Sequence, residues 1–574
     1  MSKFSIREAI PKEAHEELAS HSDIVRHLLF HRGITKKEEA EKFLRPNYDL
    51  HGHDPFAMKD MEKAVLRIEK AFSNNEKIAI FSDYDCDGIP AGVILHDFFK
   101  QIGYENFINY FPHRYEEGYG LNIPAIEEFK KEGVSLIITA DCGTSDVLQV
   151  ERANELGLDV IITDHHLSQE TKIPPAYAIL NPKQPDCAYP EKMLCGSGVI
   201  FKLIQALTTR LATSNWQLKT GQEKWLLDMV GLATMADMVP LQGENRVFAH
   251  YGLTVLRKSR RLGLKKLLEK SKVNQLHLCE DDIGFTIAPR INAASRMGEP
   301  SEAFRLLTAS DEATAEELAN YLNKINDERK GLAASMVKEI KKILSVRTKE
   351  EEKKVLVIGN PKWKPPLLGP VANNLSEMYS VPVFLWGRAD GDCIKGSCRA
   401  SGAVNVLELM KAAPTDLFLG YGGHKSSGGF SISHENVHRL ETELVHAFDR
   451  VVGIQKEEEE IFIDMRLDLN AVNWNTYAHV EKLAPFGYGN SKPVFLLENI
   501  VPSDVRRFGK EENHLELVFR GERGNKIPAI GFFTTPEDFP KPPMKGEALN
   551  LVATIEKSMF RNFPELRLRI IDII

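Results

Sequence analysis

The sequence predicts an α/β protein with a parallel sheet, followed by a second α/β domain and a β-rich C-terminal region. Short apolar runs such as IAIF, SLIIT and DVIIT alternate with helical stretches between residues 76 and 240. This alternation is typical of a parallel sheet covered by helices. The run KVLVIG opens a second unit of the same kind at residue 354. Apolar and polar residues then alternate in IFIDMRLDL, HLELVFRG and LRLRIIDI, which indicates strands near the C-terminal end.

These signals divide the chain into five segments. The segment after the first α/β domain contains no proline and one glycine and is rich in Glu, Lys, Ala and Leu, which predicts a single helix joining two lobes. The last segment predicts a small five-stranded barrel. The expected limits are 1–75 for an N-terminal helical extension, 76–310 for the first α/β domain, 311–353 for the connecting helix, 354–453 for the second α/β domain and 454–574 for the barrel.

Composition narrows the class of protein. Charged residues make up 27% and hydrophobic residues 43% of the 574 positions, which is ordinary for a soluble protein. No apolar run approaches 18 residues and the first ten residues lack a secretory signal, so we expect no membrane span. Seven cysteines without a framework spacing favour reduced thiols in the cytoplasm. The net charge of −8 means that a nucleic acid must be held by a local basic groove or by metal.

The stretch FSDYDCDG presents three alternating aspartates, Asp83, Asp85 and Asp87, directly after an apolar run. An EF-hand loop begins in the same way but requires a glutamate at its twelfth position, where this chain has Ile94. An EF-hand also requires a preceding helix, whereas IAIF has strand character. A calcium loop is therefore excluded, and the aspartates stand at the end of a predicted strand.

Two further predicted strands end in the same kind of residue. SLIIT leads to Asp141, and DVIIT leads to Asp164, His165 and His166. Asp237 follows another apolar stretch, in GLATMADMVP. A lone pair of acids at a strand end is more often a turn or a helix cap. Recurrence at successive strands instead indicates a ligand site, because ligands bind at the carboxyl edge of open α/β sheets.

Clustered carboxylates repel one another unless a cation neutralises them. Carboxylate and imidazole ligands without cysteine suit Mn²⁺ or Mg²⁺ better than Zn²⁺. The candidates are also more numerous than one ion requires. A pair of ions about 3.5–4 Å apart, bridged by one carboxylate, would use them all and would generate hydroxide beside a clamped phosphoryl group.

The motifs DYDCDG, ADCG, TDHH and ATMADMVP resemble motifs one to four of the DHH phosphoesterases, and within that superfamily the RecJ-type single-strand exonucleases. The resemblance spans nearly the whole chain. It implies a DHH catalytic domain, a DHHA1-like substrate-binding domain and an OB-like nucleic-acid-binding domain in the three main segments. The supporting stretches are FPHRYEEGYGL, LNPKQPDCAYP, APRINAASRMG, GSCRA, GYGGHKSSGG and LAPFGYGN.

The resemblance implies roles for the clustered residues. Asp164 would orient its neighbours, and His166 would face the scissile phosphate. The implied metal ligands are Asp85, Asp87, Asp141, His165 and Asp237, with Asp141 in the bridging position.

One position departs from the wider superfamily. Many members carry a histidine where this chain has Phe81, and phenylalanine cannot bind a metal. The RecJ-like pattern has an additional aspartate that matches Asp83, which we expect to fill the vacant position.

Other matched residues concern the phosphate groups of the substrate. In Gly422-Gly423-His424 the glycines allow backbone amides to approach an anion, and the imidazole can donate a hydrogen bond to phosphate. Guanidinium groups offer paired donors in a fixed plane, which suits phosphate. This chain has Ser295 where family members usually have glycine. The resemblance implies that the strand and its 5′ end are held by Arg114, Arg296, Ser397 and Arg399.

The function expected from the resemblance is metal-dependent 5′→3′ exonuclease activity that releases mononucleotides from single-stranded DNA, in repair and recombination. We expect a cytoplasmic monomer that works with a helicase or a single-strand-binding protein. A DHH phosphodiesterase for short oligonucleotides or cyclic dinucleotides is the main alternative, although it would not need so large a β-rich tail. A manganese pyrophosphatase is normally much shorter, and a non-catalytic replication scaffold would have lost motif acids. The sequence leaves DNA versus RNA and Mn²⁺ versus Mg²⁺ open.

Overall fold

The computed structural model describes residues 3–167, 172–346, 354–388, 394–402, 404–423, 425–452, 460–509, 511–522, 524–559 and 563–574. The N-terminal segment is not helical throughout, because it opens with a strand that runs parallel to residues 460–463. Ser5 hydrogen-bonds Glu460, 455 positions further along the chain. The elements of this segment are β1 (Lys3–Ile6), α1 (Lys12–Glu17), α2 (Asp23–Phe30), α3 (Lys37–Leu44), α4 (Tyr48–His51) and α5 (Met61–Ser73).

The first α/β domain contains a five-stranded parallel sheet. Its elements are β2 (Lys77–Ser82), α6 (Gly88–Ile102), β3 (Phe107–Tyr110), α7 (Ile123–Lys131), β4 (Val134–Ala140), α8 (Val147–Glu155), β5 (Asp159–Thr163) and β6 (Ala178–Leu180). The strand order is β3-β2-β4-β5-β6. The chain leaves β2 for β3 at the edge and then returns to the other side of β2 to form β4. This reversal lies between β2 and β4, and ligands bind at such a point in open α/β sheets.

The central strands are buried on both faces. In β2, Ile78 and Ile80 join the larger hydrophobic core of the domain, whereas Ala79 and Phe81 pack into a separate core on the opposite face. Successive side chains of a strand point to opposite faces, so both layers hold the strand in place. The residues that follow the strand are therefore attached to a rigid support.

The chain beyond this sheet is helical as far as the second lobe. As expected, one long helix, α16, connects the two regions, and it packs against α12, α14 and a helix of the second lobe. Residues 347–353, the end of the expected connecting helix, lie outside the described residues. The helices are α9 (Gly196–Arg210), α10 (Leu227–Ala236), α11 (Gly243–Leu256), α12 (Leu262–Lys270), α13 (Glu280–Asp282), α14 (Ala288–Met297), α15 (Ser301–Leu307) and α16 (Glu312–Val346).

The second lobe has a five-stranded mixed sheet in the order β10-β11-β9-β8-β7. Only β7 and β8 pair in parallel among its described strands, and the remaining pairs are antiparallel. Its elements are β7 (Leu356–Gly359), α17 (Pro365–Tyr379), β8 (Val383–Arg388), β9 (Ile394–Arg399), α18 (Val406–Ala412), β10 (Gly420–Gly423), β11 (Ser427–Ile432) and α19 (Leu440–Val452).

The C-terminal region is rich in strands, as the alternating pattern predicts. Its main sheet has seven described strands, in the order β13-β14-β18-β19-β17-β16-β15, rather than the expected five. Strand β12 instead pairs with β1. The elements are β12 (Glu460–Ile463), β13 (Met465–Arg466), α20 (Trp474–Glu481), β14 (Phe495–Ile500), β15 (Asp504–Phe508), β16 (His514–Arg520), β17 (Lys526–Gly531), β18 (Leu549–Ser558) and β19 (Glu565–Ile573).

Buried polar contacts join the N-terminal segment, the first domain and the C-terminal region. Arg246 on α11 donates to the carbonyl oxygen of Phe43 at 2.6 Å and to those of Leu483 and Ala484 at 3.0 Å. Leu28 of α2 is fully buried in the core of the C-terminal region. Within the part of the chain that the structure describes, no helix has both the length and the apolar character that crossing a membrane requires.

Candidate metal centre and phosphate pocket

Three neighbouring strands deliver acids to one edge of the sheet. The backbone pairing continues for one residue beyond each strand: Asp83 N donates to Ala140 O, Asp141 N to Thr163 O and Asp164 N to Leu180 O, each at 3.0 Å. These bonds hold the first acid after β2, β4 and β5 in register with the neighbouring strand. The strand ends therefore bring together residues that are up to 81 positions apart, as the sequence predicts for this edge.

The side chains that follow the strands form three overlapping groups. In each group, one potential ligand atom per residue lies within 4.8 Å of the others. The groups are Asp83, Asp85 and Asp141; Asp141, His165 and His166; and Asp87, His165 and Asp237. His165 Nε2 lies 3.2 Å from Asp141 Oδ1, 3.7 Å from Asp237 Oδ2 and 3.8 Å from Asp87 Oδ2. Asp141 and His165 each belong to two groups, so the candidate ligands form one continuous cluster.

Asp237 reaches the cluster from a helix and not from a strand end. It is the C-terminal capping residue of α10, and its backbone N–H donates to Ala233 O at 2.8 Å. A short apolar stretch cannot be assigned to helix or strand from its composition alone, so this helix was not predicted. Its Oδ2 lies 3.7 Å from His165 Nε2, which places Asp237 beside the acids that follow the strands.

The carboxylates of the cluster are buried and crowd one another. Burial and the neighbouring Asp85 raise the pKa of Asp87 to about 6. Burial and nearby carboxylates also raise the pKa values of Asp83, Asp141 and Asp237 above the usual range for aspartate. Burial lowers the pKa of His165 to about 3, so this imidazole is neutral at physiological pH. Acids that repel one another beside a neutral imidazole form a donor set that suits a divalent cation.

Unpaired buried atoms support the same interpretation. Asp83 Oδ1 and Asp141 Oδ1 are buried without a hydrogen-bond partner among the described residues. Buried polar atoms are otherwise almost always hydrogen-bonded. Oxygen donors of this kind are the ligands that Mn²⁺ and Mg²⁺ accept, so the residues present fit these ions.

The first turn of α9 positions two of the acids. Asp87 accepts hydrogen bonds from the backbone N–H groups of Gly196 and Ser197, at 2.6 and 2.7 Å. A Cβ atom at Gly196 would lie 2.5 Å from both Cβ and Oδ1 of Asp141, so only glycine fits there without movement. Sequence reasoning missed both residues, because their contribution is a backbone amide and an absent side chain. The motif Cys195-Gly-Ser-Gly at the start of a helix was the available signal.

Asp164 lies behind the cluster and orients the two histidines. Its Oδ1 accepts from His166 Nδ1 at 2.7 Å and from the backbone N–H of His165 at 2.7 Å. Burial alone would lower the pKa of His166, but its hydrogen bond and charge interaction with Asp164 raise the pKa to about 9. Burial opposes ionisation of Asp164, yet the same interaction lowers its pKa below the usual range. Asp164 therefore engages Nδ1 of His166 and favours the protonated form of the ring.

Tyr119 is a further neighbour that the motif search passed over. Its hydroxyl group lies 3.0 Å from His166 Nδ1 and 3.2 Å from the carbonyl oxygen of Asp141. It belongs to the stretch FPHRYEEGYGL.

Phe81, at the position where many superfamily members carry histidine, is fully buried and stacks on Tyr110 with ring centroids 5.3 Å apart. Its ring is part of the apolar core, and Asp83 is the nearby residue that joins the cluster.

A second cluster, the phosphate pocket, combines cationic groups from both lobes. Arg296 Nη1 donates to Pro366 O at 2.8 Å, in the first turn of α17. Burial and then neighbouring guanidinium groups, including those of Arg114 and Arg399, lower the pKa of Arg296 to about 9. Arg399 Nη1 donates to Ser397 Oγ at 3.1 Å. The four residues expected to hold the strand, Arg114, Arg296, Ser397 and Arg399, are thus neighbours.

The backbone around this pocket is tightly fitted. A Cβ atom at Gly369 in α17 would lie 3.0 Å from Arg399 Nη2 and 3.3 Å from Ser397 Oγ. Gly422 and Gly423 are exposed residues of β10, and Gly423 has φ +146°. A Cβ atom at Gly423 would lie 2.3 Å from Ser427 O. His424 lies outside the described residues, so its expected contact with phosphate stays a prediction.

Comparison with known families matches three regions of the chain. Residues 77–234 match the DHH family N-terminal domain, residues 352–453 the DHHA1 domain and residues 463–572 the RecJ OB domain. These matches and the three larger sheets confirm the predicted fold class. The limits of the five predicted segments stay a prediction.

The similarity to individual proteins covers most of the chain. The single-stranded-DNA-specific exonuclease RecJ of Bacillus subtilis is 36% identical over 89% of this chain, which spans 63% of that relative's length. The exonuclease of the same name from Haemophilus influenzae is 32% identical, with 94% of this chain and 93% of the relative covered. The crystal structure of Thermus thermophilus RecJ in complex with Mn²⁺ is 26% identical and matches with a TM-score of 0.81, over 100% of this chain and 79% of that one. The chain therefore belongs to the RecJ family of single-stranded-DNA-specific exonucleases.

Proposed function

We propose that this protein is a metal-dependent exonuclease that hydrolyses single-stranded DNA from its 5′ end to mononucleotides, in DNA repair and recombination. The observation that carries the proposal is the placement of two clusters in one molecule. A set of buried carboxylates and imidazoles stands at the carboxyl edge of a parallel sheet, and arginines from two lobes form a pocket connected to that domain through Arg296. Hydrolysis of phosphodiesters requires the first cluster, and recognition of a chain end requires the second.

The proposed cofactor is a pair of Mn²⁺ or Mg²⁺ ions. The Thermus relative was crystallised with Mn²⁺. When bound, such ions lower the pKa of water and neutralise charge on a phosphoryl group. Asp141 is the candidate bridge, because it belongs to two of the three ligand groups. The full proposed ligand set is Asp83, Asp85, Asp87, Asp141, His165 and Asp237.

The protein's own groups would complete the reaction around the scissile phosphate. The bond from His166 Nδ1 to Asp164 leaves Nε2 as the nitrogen available to a substrate. The hydrogen bond and the charge of Asp164 raise the pKa of His166 and favour a proton on Nε2. It can then donate a hydrogen bond to a phosphoryl oxygen or a proton to the departing oxygen. Tyr119 and Asp164 would hold the imidazole ring in the orientation that this requires.

The phosphate pocket would set the direction of digestion. A metal centre hydrolyses any phosphodiester that is presented to it, so polarity requires a group that recognises a chain end. A terminal phosphate carries more charge and more free oxygens than an internal diester. Arg296, Ser397 and Arg399, with Arg114 beside them, offer donors for those oxygens from both lobes.

The proposal also covers the compartment, the oligomeric state and the protein partners. Free cysteines at six described positions support a reducing compartment, and we propose the cytoplasm. Both clusters are formed within one chain, which supports a monomer. Since a single strand must first be exposed, a helicase or a single-strand-binding protein is the proposed partner.

The decisive test is digestion of 5′-labelled and 3′-labelled single strands, DNA and RNA side by side, with Mn²⁺ or Mg²⁺. We expect release of labelled mononucleotide from the 5′-labelled DNA and resistance of a blunt duplex. Digestion from the 3′ end, or equal rates on duplex, would contradict the proposal while leaving the metal centre possible. Activity limited to dinucleotides or cyclic dinucleotides would favour the small-substrate phosphodiesterase instead.

A further inference from the structure

The connecting helix brings one more arginine to the phosphate pocket. Helix α16 packs against α14, the helix that carries Arg296. Arg329 of α16 lies within electrostatic reach of Arg296, and its charge, after burial and Arg114, lowers the pKa of Arg296. Neither sequence motifs nor the family resemblance identified Arg329. On α16 it lies between Ile325, which packs into the core of the first domain, and Ala333, which packs against the core of the second lobe.

A buried asparagine holds the guanidinium group of Arg329 in place. Asn326, one turn earlier on α16, is completely buried, and its Oδ1 accepts from Arg329 Nη2 at 3.0 Å and from Nε at 3.4 Å. Asn326 Nδ2 has no hydrogen-bond partner among the described residues. Burying an amide without satisfying all its donors is unfavourable. The arrangement is therefore best explained by the orientation that it imposes on Arg329.

The pocket contains an excess of positive charge. Within the described ranges, none of Arg114, Arg296, Arg329 and Arg399 forms an ion pair with a carboxylate. Their partners are neutral groups: Pro366 O for Arg296, Ser397 Oγ for Arg399, Asn326 Oδ1 for Arg329 and the ring of Tyr84, 4.7 Å from Cζ of Arg114. Asp83 and Asp85 of the metal centre interact electrostatically with Arg114 and Arg296, but no carboxylate pairs directly with the four guanidinium groups in the described ranges, so their donors stay open to an anion.

We propose that Arg329 is a substrate-binding residue that contacts the 5′-terminal phosphate, and that Asn326 positions it. The inference rests on the proposed exonuclease function and deepens it. A terminal phosphate is a dianion near neutral pH and presents three free oxygens, so it can accept from more guanidinium groups than an internal diester. Arg329 thereby contributes to the distinction between a 5′-phosphate and a 5′-hydroxyl end.

The test compares Arg329→Ala with the wild-type protein on one oligothymidylate that carries either a 5′-phosphate or a 5′-hydroxyl. Loss of one charged hydrogen-bonding group predicts a fall of about tenfold or more in kcat/KM on the phosphorylated strand. On the hydroxyl strand we expect a change within about twofold, since no terminal phosphate is present to lose a contact. The dissociation constants of both oligonucleotides, measured in EDTA, should shift in the same selective way.

Three further variants separate binding from stability. Arg329→Lys keeps the charge but loses the planar fork, so its effect should be intermediate. Asn326→Ala removes no charge but frees the guanidinium group of Arg329, so it should show part of the loss of kcat/KM that Arg329→Ala shows on the phosphorylated strand. Lys324→Ala is the matched control, because Lys324 lies on the same helix with its side chain 74% exposed beside Glu328. Thermal melting identifies any variant that is unfolded, and Arg329→Gln replaces Arg329→Ala in that case.

Different results would contradict the role of Arg329 and the proposed exonuclease function. If Arg329→Ala and Arg329→Gln retain the wild-type preference for a 5′-phosphate, the role of Arg329 is wrong and the exonuclease proposal stands. An equal loss on both strands also contradicts the proposed role. If the wild-type protein does not digest the strand from its 5′ end, the proposed function fails. Binding in EDTA then still shows whether Arg329 recognises the terminal phosphate.

Discussion

Replacing Gly196 by alanine tests the geometry of the metal centre without removing a ligand. Gly196 opens α9, and its backbone N–H donates to Asp87 at 2.6 Å. Its φ lies outside the left-handed region, so alanine can adopt the same backbone conformation. Alanine also favours a helix over glycine by about 1 kcal/mol. The backbone therefore accepts alanine, and any loss of activity or stability arises from the contacts of the added methyl group.

The size of the effect follows from the position of that methyl group. The added Cβ would lie 2.5 Å from Asp141 Cβ and Oδ1, whereas ordinary contact begins at 3.4 Å. Asp141 or the start of α9 must then move by about 0.9 Å, the difference between these distances. A misplacement of about 1 Å in a catalytic site can reduce turnover by roughly a hundredfold. We expect a loss of kcat of that order and weaker binding of Mn²⁺.

The assay is digestion of a 5′-phosphorylated single strand, together with calorimetric titration of Mn²⁺ and thermal melting. Gly198→Ala is the matched control, because it lies in the same turn and its added Cβ would be 3.5 Å from the nearest atom. We expect near-wild-type activity from this control. If Gly196→Ala keeps its kcat within about threefold, the close contact with Asp141 does not constrain the metal centre and the reasoning is wrong.

Three other predictions use the same assay. Asp141→Ala should reduce hydrolysis by at least about a thousandfold, because a bridging ligand serves both ions, and near-normal turnover would refute the assignment. Asp83→Ala should separate the Mn²⁺ dependence into two steps, since only one ion loses a ligand; an unchanged dependence would make Asp83 a turn residue. Arg399→Ala should lower the preference for a 5′-phosphate over a 5′-hydroxyl by about tenfold at an unchanged Mn²⁺ requirement, and an unaltered preference would contradict its role.

The acids after β2, β4 and β5 could be predicted from the sequence because each follows a short apolar strand. Parallel strands end at one edge, so three local signals were sufficient to bring Asp83, Asp141 and His165 together. The source of Asp237 could not be predicted, since its apolar stretch lacks a distinct period and forms a helix. The local pattern identifies residues that follow strands better than residues that reach the site from a helix.

Other parts of the site carry little sequence signal of their own. Gly196 and Ser197 act through backbone amides, and Asn326 acts through an amide oxygen that is buried one turn from Arg329. Such roles depend on which elements pack together. Strand β1 was also missed. Its hydrogen-bonding partner is the distant strand β12, and the residues next to β1 in the sequence do not indicate this pairing.

The pairing of β1 with β12 also has a consequence for synthesis of the protein on the ribosome. Residues 3–6 are translated early, but the strand that satisfies their backbone groups is translated about 455 residues later. At about 5–20 residues per second, the partner of the N-terminal strand is synthesised roughly 25 to 90 seconds later. Domains between them can fold in that interval. Completion of this small sheet is therefore a late event that reports whether the C-terminal region has been made and has docked.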